Sequence, residues 1–259
     1  MLNLIHGFLA RIVVFIRNWT RPFFDPVQLL RALPRYAFFI RDWMRYSQME
    51  GAESIHLLDT LPCIHERTAT TPFDRHYFYQ DIWAFRKIGE SRTPYHIDIG
   101  SKIDFVGMLT VITQTMFIDI RPLKVQAENF TSLSCSIIAL PFRDSSVQSI
   151  SCLHVAEHIG LGRYGDSLDP FGTLKAAKEL SRVLAPNGNL YFSLPIGKPR
   201  LRFNGERIHS PQQILNYFKE LVLVEFSGID DSGSFRQGIN IEALENQQRA
   251  CGLFWFTKH

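Results

Sequence analysis

Apolar and polar positions follow three rhythms along this chain, and each predicts a different kind of structure. Up to about residue 50 the rhythm is helical. Leu4, Ile5, Phe8, Leu9, Ile12, Val13 and Ile16 recur on one side, with His6, Arg11, Arg17 and Asn18 mostly on the other, which predicts an amphipathic helix. A second helix is expected from Asp25-Pro26, an N-cap residue followed by proline at the first helical position, and it carries Leu29, Leu30, Leu33, Phe38, Phe39, Trp43 and Met44. Pro34 is expected to kink or divide it, because proline removes an amide donor and crowds the preceding turn.

Between residues 59 and 88 the rhythm changes, and aromatic rings alternate with hydrogen-bonding groups, most densely in Phe73-Asp74-Arg75-His76-Tyr77-Phe78-Tyr79-Gln80. Such a mixture suits a lid or substrate wall, with Asp74 and His76 facing the substrate, and it equally suits a capping helix whose rings are core. From Tyr95 the pattern becomes strand, helix, strand, as for a parallel sheet covered on both faces. Strands are expected at residues 95–100, 116–120, 133–138, 149–153, 189–194, 221–226 and 252–256, the last two as an antiparallel pair at the sheet edge. A strong amphipathic helix over residues 173–184 is stopped by Pro186 and Gly188. Three segments follow: amphipathic helices over residues 1–50, an aromatic-rich lid or capping segment over 51–93, and an α/β domain over 94–259.

Charge sharpens the first segment only. Residues 1–50 hold seven Arg against Asp25, Asp42 and Glu50, which leaves the remainder slightly acidic. An apolar face flanked by arginines suits peripheral contact with an anionic membrane surface through residues 2–18; packing on the domain or on a second subunit, giving a homo-oligomer, is the other reading. Arg11 and Arg17 interrupt the only early apolar run, so no spanning segment is expected, and no cleavage site suits a secretory signal. Cys63, Cys135, Cys152 and Cys251 are widely spaced without a CxxC pair, which points to a reducing compartment. A cytoplasmic protein, peripheral at the inner face of a membrane at most, is the expectation. The core shows no basic stripe, so nucleic acid is not an expected partner.

Candidate chemistry concentrates after the fourth strand. His154, Glu157, His158, Arg163, Tyr164, Asp166 and Asp169 crowd one segment at the carboxyl edge of the sheet, where ligands bind in open α/β folds. His154 or His158 suits proton transfer near neutral pH, with Tyr164 and Asp166 orienting a substrate; bracing of the loop by Glu157 and His158 is the alternative. Arg207 and His209, before the expected N-cap Ser210-Pro211, would face the same edge and hold an anionic or sugar-like substrate together with Arg163. His154-Val155-Ala156-Glu157-His158 also fits the inverted zinc motif H-x-x-E-H. No third ligand stands out among Glu179, His209 and Glu225, so no metal site is expected.

The Leu140-Pro141-Phe142 turn, the His-x-x-Glu-His segment, Arg182-Val183-Leu184-Ala185-Pro186-Asn187-Gly188 and the strand after it resemble class I S-adenosylmethionine-dependent methyltransferases over residues 94–257. Phe73-Asp74-Arg75-His76-Tyr77, Ile118-Asp119-Ile120-Arg121-Pro122 and Glu157 to Asp166 resemble more closely an uncharacterised family within that superfamily, a domain of unknown function. The resemblance implies a Rossmann-like fold with a seven-stranded, mostly parallel sheet and an N-terminal helical extension. It also implies S-adenosylmethionine as cofactor, held by Asp98, Gly100, Ser101, Asp119, Ser136 and Leu140. Lys102 and Asp104 stand where two further glycines are usual, and Ser136 stands where many relatives carry an Asp toward the adenine. The implied activity is methyl transfer to a small or glycan-linked acceptor, the glycan following from the family's association with surface-polysaccharide pathways. The alternative is a non-catalytic member serving as a binding or scaffold protein at a membrane surface.

Overall fold

The sheet that carries the site is built from short apolar runs separated by polar turns, and the order of those runs sets its topology. A computed structural model of the chain describes residues 12–21 and 25–259. The expected amphipathic face over residues 2–18 therefore lies largely outside the described residues. The chain divides into two units, Met1–Pro72 and Phe73–His259. The boundary falls inside the expected lid segment, whose second half belongs with the α/β unit.

In the first unit residues 12–20 are helical, and α1 spans Pro26–Tyr46. Asp25 caps α1 as expected, its carboxylate accepting from the amides of Val27 and Gln28. The helix runs unbroken through Pro34, so the expected division does not occur. None of its residues is buried, and Leu29, Leu30, Leu33 and Met44 are exposed. Among the described residues no helix is long and apolar enough to cross a membrane.

The second unit opens with α2 (Arg75–Ser91), capped by Asp74, and continues with β1 (Tyr95–Ile99), α3 (Ile103–Leu109), β2 (Gln114–Asp119), β3 (Phe130–Ser134) and β4 (Val147–Leu153). There follow α4 (Gly172–Val183), β5 (Leu184–Ile196), a hairpin of β6 (Arg200–Arg202) and β7 (Glu206–Ile208), and α5 (Pro211–Tyr217). The chain closes with β8 (Val222–Ile229), β9 (Phe235–Arg236) and β10 (Ala250–Thr257). The main sheet has order β3-β2-β1-β4-β5-β10-β8-β9, parallel from β3 to β5.

It thus holds eight strands rather than seven, because the two-residue β9 pairs with β8. The last strand is also not at the edge. β10 is inserted between β5 and β8 and runs antiparallel to both. Its run Ala250 to Phe254 is wholly buried, as a strand flanked on both sides requires. The hairpin β6–β7 went unforeseen, its strands being three residues each in a charged segment.

Alternation along each strand feeds two cores, one per face. Ile118, Ile150 and Phe192 join Ala176, Leu180 and Val183 of α4 and Ile214 of α5. Their neighbours Phe117 and Tyr191 join Trp83, Ala84 and Ile88 of α2 and Phe105, Val106 and Leu109 of α3. Of the α2 aromatics Trp83 is buried and Tyr79 and Phe85 are partly buried against this core, while Phe78 stays exposed. Burying one such side chain stabilises the fold by roughly 1.5–3 kcal/mol, so α2 is held firmly along Gln80 to Ile88.

Candidate functional site

β1, β2, β3 and β4 all point their carboxyl ends the same way, and the loops leaving them enclose two adjoining cavities. Parallel pairing forces this, because each crossover returns the chain to the opposite edge and leaves the turns at one end free for ligands.

The first cavity, of about 430 Å3, is lined by Gly100 after β1, Asp119, Ile120 and Arg121 around the end of β2, Ser136, Ile137 and Ile138 after β3, and Val155 after β4. Gly100 has φ +62°, and a Cβ there would sit 3.3 Å from Val155 and 3.4 Å from the Oδ2 of Asp119. A side chain would therefore fill the gap between the two walls. Oδ1 of Asp119 accepts from the Arg121 amide at 2.7 Å, so its other oxygen is the one turned toward Gly100.

Asp98, expected at the cofactor, works inward instead. It is fully buried, accepts from the Ser101 amide at 2.9 Å and takes the Ser151 hydroxyl, so it fixes the shape of the loop rather than lining the cavity. Burial lifts its pKa to about 6 against the pull of those hydrogen bonds. Leu140 is likewise buried, its amide donating to Glu179 at 2.7 Å. Lys102 is half-exposed and paired with Asp104 at 3.1 Å, so it does not occupy the first cavity.

The second cavity, of about 440 Å3, is charged. Asp74, His76 and Tyr77 enter it from the start of α2, Ser101 and Lys102 from the β1 loop, Arg163 from the loop after β4, Glu206 from β7 and Arg249 from just before β10. Asp74 is held as the α2 cap, accepting from the amides of His76 and Tyr77. Arg249 grips Glu206 through two hydrogen bonds of 2.8 Å. Burial would raise the Glu206 pKa, but Arg249 and Arg202 outweigh it and hold the carboxylate down at about 2. Burial depresses His76 to about 4 and lifts Tyr77 to about 12, so both stay neutral through the physiological range.

Gly100, His154, His158 and Tyr164 line both cavities. His154 turns the chain at the end of β4 with φ +56°, a conformation that costs an L-residue energy unless its surroundings enforce it. Its Nδ1 lies 2.9 Å from Glu157, a carboxylate that only accepts, so Nδ1 carries the proton. Burial would lower the His154 pKa, but Cys251 and Glu157 outweigh it and raise it to about 10.

His158 meets the Gly205 carbonyl at 2.6 Å through Nδ1 and the Arg163 guanidinium at 3.3 Å. The shorter contact to an obligate acceptor places the proton on Nδ1 and leaves Nε2 with a lone pair. Tyr164 lies 4.2 Å beneath the Arg121 guanidinium and 5.1 Å from that of Arg163. Asp166 lines the first cavity, but its carboxylate is engaged by the amides of Gly160 and Tyr164, so it shapes the loop. Gly160 (φ +81°) cannot carry a side chain, since a Cβ would collide with the Asp169 carbonyl.

Two expected substrate ligands lie elsewhere. Arg207 donates to the carbonyls of Ile159 and Asp169, clamping the loop from outside, and His209 is buried against Thr173. Neither lines a cavity. In their place stand Arg121 and Tyr77, which lie in the segments that carry the family resemblance, and Glu206 and Arg249, whose neighbourhoods carry no motif. For Glu206 the available signal was the run Arg202 to Ser210, which the unforeseen hairpin folds over the site.

The fold is shared with solved methyltransferases. The geranyl diphosphate C-methyltransferase of Streptomyces coelicolor, solved with Mg2+, geranyl diphosphate and S-adenosyl-L-homocysteine, superposes with a TM-score of 0.51 at 12% identity, covering 71% of this chain and 80% of its own. A protein of Galdieria sulphuraria assigned as a sarcosine dimethylglycine methyltransferase superposes at 0.50 and 15% identity, covering 70% and 86%. No curated protein matches the chain. Residues 102–248, more than half of the chain, match the family described as "Caenorhabditis protein of unknown function, DUF268". The match takes in the end of the β1 loop, the polar segment after β4 and Glu206, and the chain is a member of that family, built on the class I S-adenosylmethionine-dependent methyltransferase fold.

Proposed function

We propose that the chain is an S-adenosylmethionine-dependent methyltransferase that binds its cofactor in the first cavity and a hydroxyl-rich small or glycan-linked acceptor in the second. The observation that carries the reading is the cradle at Gly100. A backbone position that favours glycine lies against an acidic side chain at the end of β2, with Ile120, Ile137 and Ile138 beyond. Asp119 would take the ribose hydroxyls through Oδ2, and the isoleucines would enclose the adenine. The bound cofactor supplies an electrophilic methyl group.

His158 is the general base in this reading. Its Nδ1–H is committed to the Gly205 carbonyl, so Nε2, which lies 3.7 Å from Glu157 without a hydrogen bond, would take a proton from an acceptor hydroxyl lying across the shared wall. His154 is not assigned that role, since its ring is stacked on His76 and its ligand atom lies beside Cys251. Arg163 and Tyr164 position the acceptor, and Lys102, beside the second cavity, favours an anionic group.

Calorimetric titration with S-adenosylmethionine and S-adenosylhomocysteine tests the cofactor. Micromolar-range binding, weakened at least about tenfold by Asp119→Ala, is expected. Absence of binding at millimolar ligand sinks the reading.

A second reading concerns the first unit. Ile12, Val13, Phe15, Ile16 and Trp19 are exposed beside Arg17, and α1 buries nothing. We infer that this face rests on an anionic membrane surface, which would bring the enzyme to a lipid-linked acceptor. Flotation with anionic liposomes should fall when Phe15 and Trp19 are replaced by Ser; equal flotation of both proteins rejects the contact.

A further inference from the structure

Three side chains from distant parts of the sequence meet beside the charged cavity. His76 comes from the first turn of α2, His154 from the end of β4 and Cys251 from β10, and their ligand atoms all lie within 4.8 Å of one another. We propose that His76, His154 and Cys251 bind one thiophilic divalent cation of the Zn2+ class.

The donor set selects the ion. Two imidazoles and a thiolate suit zinc and exclude the hard cations Mg2+ and Ca2+, which demand oxygen. Bonds of roughly 2.0–2.1 Å to nitrogen and 2.3 Å to sulfur require donors somewhat under 4 Å apart. Modest rotation of three side chains closes the observed spacing to that range.

Independent features of the surroundings point to the same occupant. The Nδ1 of His76 is buried without a hydrogen-bond partner, which is costly for a polar atom unless something binds it. His154 has its Nδ1 held by Glu157 at 2.9 Å, which turns the lone pair of Nε2 outward. A carboxylate behind a ligating histidine is the usual second support of zinc sites, fixing the tautomer and raising ligand basicity. The other oxygen of Glu157 is also buried and unpartnered, leaving negative charge that a nearby cation would neutralise. Arg249, which would oppose the metal, is already paired with Glu206.

Three protein ligands leave a fourth position for water or substrate, the pattern of a catalytic rather than a structural zinc. His76 and His154 both line the charged cavity, so that position is accessible from it. An acceptor hydroxyl bound there would lose its proton more readily. This role rests on the methyltransferase reading. The metal site does not, and its test reads the metal without cofactor. The H-x-x-E-H match contributes one ligand only, since His158 is not part of the cluster.

The experiment is titration of the reduced, chelator-stripped full chain with Co2+ and then Zn2+. One equivalent of Co2+ should bind and give a thiolate charge-transfer band with the visible absorption of a tetrahedral site, which Zn2+ then displaces. Cys251→Ser should abolish the charge-transfer band, and His76→Asn should weaken binding by at least about tenfold. Cys63→Ser, on the exposed cysteine of the first unit, should change neither. His76 is half-buried where Cys251 is wholly buried, so its variant carries the test if circular dichroism shows that Cys251→Ser does not fold. Failure of the wild type to bind stoichiometric Co2+ overturns the proposal, as does unchanged binding by a folded His76→Asn.

Discussion

The two cavities share a wall yet are made in opposite ways. The first is walled on one side by residues after adjacent parallel strands, Gly100, Asp119 to Arg121 and Ser136 to Ile138, and closed by the loop that runs on from β4 to Asp169; its character is largely apolar. The second draws Asp74, Lys102, Glu206 and Arg249 from four separate elements and is held together by ion pairs and caps. A wall made of strand ends is as rigid as the sheet itself, which suits a cofactor that must be presented the same way each time. A wall assembled from loops and one hairpin can vary without disturbing the sheet, which suits the side that recognises an acceptor.

The contrast breaks most sharply at Gly100. Gly100→Val should reduce S-adenosylmethionine affinity by at least about 100-fold, because the side chain enters the cradle, and the positive φ adds roughly 1–2 kcal/mol of strain. Calorimetry and thermal unfolding measure the two effects. A folded Gly100→Val protein that binds cofactor normally would place the cofactor elsewhere.

The next largest effect belongs to the charged cavity. Glu206→Gln leaves Arg249 without its partner and should cost about 1–2 kcal/mol at neutral pH, a figure already reduced for the partial exposure of the arginines. The sign follows from the depressed pKa. The folded chain holds Glu206 at about 2, below its unfolded value, so it binds fewer protons than the unfolded chain across that window. Its contribution is fully present above the unfolded pKa and is lost as pH falls toward 2. Urea denaturation of wild type and variant over this range should show the difference closing on acidification. Cofactor affinity should stay within about threefold, which separates the cavities energetically.

The smallest effect tests the shared wall. Tyr164→Leu removes the ring between Arg121 and Arg163 and should lower cofactor affinity about two- to fivefold, in keeping with a partly exposed cation–π contact of ~0.5–1 kcal/mol. Tyr164→Phe should retain it. Equal losses in both variants would show that the hydroxyl matters rather than the ring face.

These cavities also differ in how far the amino-acid order announces them. Gly100, Asp119 and Ser136 were each implied by the resemblance to methyltransferases, and all three line the first cavity. Asp98 was found for the right loop with the wrong direction, because whether a carboxylate faces a ligand or the Ser151 hydroxyl depends on a strand fifty residues away. Arg207 and His209 sit close to the site in sequence, yet the β6–β7 hairpin sends them to Ile159, Asp169 and Thr173. His76 and His154 were both singled out, but Cys251, in a run that reads simply as a buried strand, gave no sign of joining them.

Periodicity and turn residues are local signals, since they report which face of a helix or strand is buried and where the chain reverses. They were enough for the order of strands and helices, for the parallel half of the sheet and for the edge at which its loops open. They carry nothing about which distant elements come to rest side by side. The insertion of β10 between β5 and β8, which brings Cys251 to His154 and Arg249 to Glu206, is settled by packing two cores across one sheet, and so the charged cavity and its metal-ligand cluster exist only in the folded chain.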